Sequence, residues 1–138
     1  MDRKLTILII IFLLVFTLFI SYLVLNKQIV TFTRAAEELI PSTETSLIFA
    51  WPLTAKSNGL EKVEVNVFIR NYKNVPLVNK KVNLITNLGS VSPDNQMTDK
   101  LGKATFSLTS NNSGIAEIKA VVDDKIQVKQ TVSIKFVE

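Results

Sequence analysis

Carboxylates carry most of the chemistry this chain could do. Asp94, Asp99, Asp123 and Asp124 fall in turn-like stretches, and oxygen-rich loops of that kind can hold calcium. A calcium site needs roughly six to eight oxygen ligands, usually from a dense acidic loop. "VDDK" offers two acids and then a lysine, so turn chemistry is the expected role. Glu37 and Glu38 are adjacent. On a helix they point about 100° apart, whereas a catalytic pair must face one cleft, so a solvated helix face is expected. Serine and threonine are plentiful, but the chain has no histidine to activate one and no Gly-x-Ser-x-Gly elbow. It has no cysteine either. Thiol nucleophiles, thiolate zinc sites and the lipid-carrying cysteine of a bacterial lipoprotein are thereby excluded. The residues point to no enzyme, no metal and no cofactor.

A few residues suit binding or modification instead. Asn111-Asn112-Ser113 has the pattern of a glycosylation sequon, a tripeptide common by chance. A Lys–Asn isopeptide cross-link would need a lysine, an asparagine and an acid buried together, and the lysines fall mostly at outward positions. Trp51, the sole tryptophan, precedes Pro52. It is either an exposed binding aromatic or a ring packed near the sandwich rim or against the stalk. Phe68 lies on the polar face of its strand, opposite Val67 and Ile69. It either covers a neighbouring strand or touches a partner.

The elements that position these residues begin with an apolar run. Leu5 to Leu25, "LTILIIIFLLVFTLFISYLVL", carries no charge. Twenty-one residues of helix span about 31 Å, the hydrocarbon thickness of a bilayer. A cleaved signal peptide has a shorter apolar region and a small-x-small site, which "SYLVLNKQ" lacks, so an uncleaved anchor is expected. Arg3 and Lys4 precede the span and Lys27 and Arg34 follow it, a near tie. A long folded segment crosses largely regardless of charge, so residues 1–4 are placed inside and the rest outside. Beyond the span, Ile29, Val30, Phe32, Ala35, Ala36 and Leu39 fall near helical spacing. Pro41 stops the helix. A helical stalk and a polar linker, "PSTETS", therefore fill residues 26–45.

From Leu47 onward the period is two. Val63, Val65, Val67 and Ile69 share one face; so do Val82 and Leu84, then Ala104, Phe106 and Leu108, then Ala116, Ile118, Ala120 and Val122. Ile126, Val128, Val132, Ile134 and Phe136 continue the pattern. Turn signals separate the runs: "SNG", "NYKN", "SPDN", "DKLG", "NNSG" and "VDDK". About seven short antiparallel strands in residues 46–138 predict an all-β sandwich. In "TDKLG" Asp99 can accept hydrogen bonds from the backbone ahead of it, and Gly102 supplies a positive φ. Together they form a structural turn. Net charge is +4, with acids and bases interleaved along the chain. A nucleic-acid binder more often clusters its basic residues, so no nucleic-acid partner is expected.

The stretches "RNYKNVPLVNKKVNL", "LGSVSP" and "TDKLGKATFSLTSNNSGIAEIKAVV" resemble, in order, the bacterial immunoglobulin-like domain of the invasin and intimin type (group 1). The pattern includes Thr-Asp-x-x-Gly-x-Ala at 98–104 and Gly-x-Ala-x-hydrophobic-x-Ala at 114–120. Asn71 stands where that family often has Asp, and Asn74 and Asn79 where it often has Gly. Asparagine tolerates left-handed backbone better than most residues. The resemblance implies an immunoglobulin-like antiparallel β-sandwich, preceded here by one transmembrane helix. It implies a cell-surface module with a structural, adhesive or partner-binding role. The expected partners are the lipid bilayer, through the N-terminal helix, and a protein at the cell surface. The alternative is a pilin-like filament subunit, whose long apolar helix also runs into a β-rich head. The chain lacks the glycine and glutamate that mark the start of such subunits.

Overall fold

The computed structural model describes residues 2–138, and for 26–38 the backbone alone. The chain divides into two compact units, Met1–Glu37 and Glu38–Glu138.

The first unit is helix α1, Arg3–Glu38. Its segment Arg3–Leu25 is long and apolar enough to cross a membrane, and none of it is buried in protein. In hydrocarbon every backbone polar group must be satisfied internally, and a helix does so. The span's own hydroxyls follow the same rule: Thr6 and Thr17 donate to the carbonyls of Asp2 and Leu14. The stalk side chains named above (Ile29, Val30, Phe32, Ala35, Ala36, Glu37 and Glu38) lie outside the described residues.

The second unit holds ten strands: β1 Leu47–Trp51, β2 Thr54–Lys56, β3 Val63–Phe68, β4 Lys81–Thr86, β5 Ser90–Ser92, β6 Asn95–Met97, β7 Lys103–Thr109, β8 Gly114–Val122, β9 Ile126–Gln127 and β10 Val132–Val137. They form two sheets. One has the order β1-β3-β7-β5; the other runs β2-β10-β8-β4-β6, with β9 on β8. The alternating apolar residues meet between them. Val63, Val65, Val67, Leu108, Ile118, Val122 and Ile134 are fully buried, and Phe106 and Phe136 nearly so. The fold is thus an immunoglobulin-like sandwich after one apolar helix of membrane-spanning length.

The structure departs from the sequence reading at three places. β1 and β2 are one stretch that changes sheet at Pro52, which follows a cis peptide bond. Because the chain crosses without reversing, β2 lies parallel to β10, in register at Lys135↔Thr54. The run expected from Ile126 to Phe136 is two strands, β9 and β10, with Val128 buried between them. "PSTETS" is not a free linker. Pro41 and Ser46 are buried. Ser42 N–H donates to Arg70 O at 2.8 Å, Thr45 Oγ1 to Asn71 O at 2.8 Å, and Lys129 N–H to Thr43 O at 3.1 Å. Small polar side chains suit a linker, but they suit equally the satisfaction of backbone groups at a sandwich end.

Candidate functional surface

The outward face of the β1-β3-β7-β5 sheet is where the sequence's candidate aromatics come together. Register sets this. β1 pairs with β3 so that Leu47, Phe49 and Trp51 oppose Phe68, Asn66 and Glu64. Ile48 and Val67, opposite each other one position along, point into the core. Trp51 is 77% exposed, so it is not a packed rim residue. Phe68 is half-buried and sits edge-on to Phe49, with ring centroids 5.9 Å apart and planes at 78°. It does cover its neighbouring strand, and it leaves Phe49 half open to solvent. Edge-to-face geometry is the favoured arrangement for such a pair.

Beside this aromatic column runs a polar one. Asn66 Nδ2 donates to Glu64 Oε1 at 2.6 Å, and Thr105 Oγ1 donates to Asn66 Oδ1 at 2.8 Å. Those bonds hold the β3 and β7 side chains flat on the sheet. A hollow of about 550 Å³ opens between Trp51, Lys62, Glu64, Ser92, Thr105 and Ser107. A second hollow, of about 490 Å³, lies at the far end among Lys56, Asn58, Asn111 and Glu138. It has no aromatic lining, and its Asn111 belongs to the sequon turn. A large ring beside fixed polar groups is the composition of a contact surface.

Phe49 is the residue that sequence reasoning missed. The signal was present in "LIFAW": Leu47, Phe49 and Trp51 alternate with Ile48 and Ala50, so both faces of that strand are apolar. One of them had to remain outside the core.

The aspartates are used in turns. Asp99 Oδ1 accepts from the N–H groups of Leu101 and Lys103, at 2.8 and 2.9 Å. Gly102 has φ +70, and a Cβ there would lie 2.5 Å from Ile69 O. They set the start of β7, where Gly102 O accepts from Ile69 N–H at 2.8 Å and Lys103 pairs with Phe68. Asp123 and Asp124 adopt φ 49 and 57, with ion pairs to Lys80 and Lys81. The hydrogen bond and charge of Lys81 hold the Asp124 carboxyl below its ordinary pKa. Among the described residues no three His, Cys, Asp or Glu side chains gather as a metal set. The described residues that are both buried and polar are Ser46, Asn71, Thr98 and Ser110, with no lysine among them. Asn71 Oδ1 accepts from the N–H groups of Lys73 and Val75, both at 2.9 Å. It does as an amide what an aspartate would do there. Asn74 and Asn79 have φ 64 and 56.

Comparison with known proteins fixes the family. Residues 50–137 match the family model "Bacterial Ig-like domain (group 1)". The chain belongs to that family. Among solved structures, this bacterial Ig-like domain is similar to the D0-D1 domain of intimin, with 27% identity and a TM-score of 0.62. The match covers 73% of this chain and 50% of that one. It is also similar to a C-terminal intimin fragment in complex with the intimin-binding domain of the translocated intimin receptor (26%, 0.60, covering 70% and 33%). Invasin, a bacterial integrin-binding protein, aligns at 25% and 0.59 over 67% of this chain and 19% of its own. The chain thus spans half or less of the length of these three structures. No curated protein matches it.

Proposed function

We propose that this protein is a single-pass membrane protein that displays one bacterial Ig-like module outside the cytoplasm and binds a protein partner through Phe49, Trp51 and Phe68. The observation that carries the reading is Trp51, 77% exposed on the outer face of a sheet whose inner face carries the fully buried Ile48, Val65, Val67 and Leu108. Exposed aromatics among fixed polar groups are where binding energy concentrates. The similar structures support the class of partner: one holds intimin with a domain of its receptor, and invasin is an integrin-binding protein. Residues 1–4 would lie in the cytoplasm, 5–25 in the bilayer, and the sandwich at the cell surface.

The chain's lack of cysteine makes both halves of the reading testable. With Leu60→Cys, on the exposed 57–62 loop, a membrane-impermeant maleimide should label intact cells. Labelling that requires lysis would put the domain inside and overturn the surface role. A photo-crosslinking residue at Thr105 should then capture one protein in intact cells. Trp51→Ala should reduce that capture tenfold or more. Capture indifferent to Trp51 would remove the aromatic face from the function.

The unbroken helix Arg3–Glu38 running into a β-rich domain is the one observation that favours the pilin-like alternative. A mature N-terminus shortened by a basic leader, read by mass spectrometry, would support that alternative; an intact or Met-trimmed start supports the anchor.

A further inference from the structure

Trp51 stands in a row of otherwise polar side chains. Register runs the row straight across the sheet: Trp51 opposite Glu64, Glu64 opposite Ser107, and Ser107 opposite Ser92. The next row is Phe49, Asn66 and Thr105. Strands lie about 4.8 Å apart, so the indole has a carboxylate one strand away and hydroxyls two and three strands away. The hollow of about 550 Å³ is lined by the residues of the first row with Lys62 and Thr105. Apart from the indole, the one apolar residue in its lining is Phe106, which is 2% exposed. An occupant therefore has one aromatic wall to cover and polar groups on its other sides.

Those polar groups are fixed in direction. The Thr105 hydroxyl donates its proton to Asn66 Oδ1, and Asn66 Nδ2 donates to Glu64 Oε1. Thr105 Oγ1 is thereby left as an acceptor. Glu64 Oε2 is a second acceptor, and among the described residues no side chain donates to it. Lys62 can only donate, and the hydroxyls of Ser92 and Ser107 can do either. Lys62 and Glu64 carry opposite charges, so the hollow as a whole is neutral. A ligand carboxylate or phosphate would meet the Glu64 carboxylate, and a ligand ammonium would meet Lys62. Adjacent hydroxyls, each both donor and acceptor, satisfy all of these groups without a net charge.

We infer that the hollow takes a neutral hexopyranose ring, carried on a glycan of the protein partner. An aromatic face is electron-rich, and the C–H groups on one side of a pyranose stack against it while the ring's hydroxyls reach sideways to the polar row. One aromatic wall with a few placed polar groups is the composition of a small-molecule site. An apolar peptide side chain is the poorer occupant, because it would take Lys62 and Glu64 out of water without giving them partners. A free sugar is poorer as well. Phe49 and Phe68 adjoin the row and Phe49 is 52% exposed, an apolar surface that protein covers and a single sugar does not. The inference rests on the proposal that this face binds a protein, and it adds the chemistry that the partner presents to Trp51.

Trp51 is the sole tryptophan, so the fluorescence of the full-length protein reports on this hollow directly. The protein would be held in an amine-oxide detergent, which has no sugar headgroup. It would be titrated with the methyl glycosides of glucose, galactose, mannose and N-acetylglucosamine. A saturable change in emission is expected with at least one of them, and none with glycerol. Glu64→Gln keeps the shape of the side chain and removes its charge; it should weaken binding about tenfold. Thr105→Val, at an exposed position, removes the second acceptor and should do the same. Circular dichroism of both variants checks that the sheet is intact. The absence of a saturable change with every glycoside would overturn the inference, as would a change that both variants leave alone. Methyl glucuronide binding as tightly as the neutral glycosides would overturn it too. A photo-crosslinking residue at Ser90, exposed on β5 outside the hollow, separates the glycan from the protein. It should capture the partner in intact cells, and enzymatic removal of surface glycans should reduce that capture tenfold or more. Capture that survives deglycosylation but falls with Trp51→Ala overturns the glycan and leaves the protein partner. Capture indifferent to Trp51 overturns both, and crosslinks to polysaccharide alone overturn the inference.

Discussion

On the inner face of the β1-β3-β7-β5 sheet, Ile48, Val65, Val67 and Leu108 are fully buried, and on the outer face of the same strands Phe49 and Trp51 are 52% and 77% exposed. Both faces carry large apolar side chains, and neighbouring residues alternate between them. The inner set touches the second sheet, so each side chain there fixes the packing of others. On the outer face the rings of Phe68 and Phe49 meet edge to face. Equal hydrophobicity therefore has different consequences: on one side it holds the fold, and on the other it is surface left to be covered by something else. Exposed apolar area of that kind, rimmed by polar residues, is characteristic of interaction sites.

The comparison breaks most severely at Phe106. This ring on β7 is 2% exposed, and Phe106→Ala should destabilise the domain by about 3–5 kcal/mol through lost burial and the cavity left behind. Pulse proteolysis of the detergent-solubilised chain across a urea series would measure it. A loss comparable to that of an outer-face variant would mean the two faces are misassigned.

Gly102 tests what keeps the faces apart. A one-residue slip of β7 would exchange its inner and outer residues, and the turn at 98–102 sets its start. Gly102→Ala should cost about 2–4 kcal/mol. It forces a side chain into positive φ and drives a Cβ against Ile69 O. The same urea series would report it, and a midpoint equal to that of the parent protein would show that the turn relaxes freely.

The smallest effect sharpens the contrast. Trp51→Ala should shift stability by less than about 0.5 kcal/mol, while the partner capture described above falls. A large stability loss would make Trp51 a packing residue and leave the outer face without its main binding group.

The sandwich was legible because a strand with one buried face writes period two into its residues. Val63 to Ile69, Ala104 to Leu108 and Ala116 to Val122 could be assigned inward from spacing alone. So could the Asp99–Gly102 turn, whose chemistry is local. The aromatic surface was half legible. Trp51 and Phe68 stood out by type, each with two open roles, whereas Phe49 did not, because "LIFAW" is apolar on both faces and periodicity cannot say which face is closed.

The sequence by itself determined the long strands β3, β7 and β8, their inward residues, the turn glycine and the apolar span, since each depends on residues within a few positions of one another. Only the tertiary structure decided three further things. It carried β1 and β2 into different sheets, because the pairing partners β3 and β10 lie far along the chain. It bonded 42–46 to Arg70, Asn71 and Lys129, turning an apparent linker into part of the domain. It also brought charges far apart in the chain together as ion pairs, Lys80 with Asp123, Lys81 with Asp124 and Lys129 with Glu44. Spacing fixes which way a residue points from its own strand; which distant residues it then meets is set by how the strands pair.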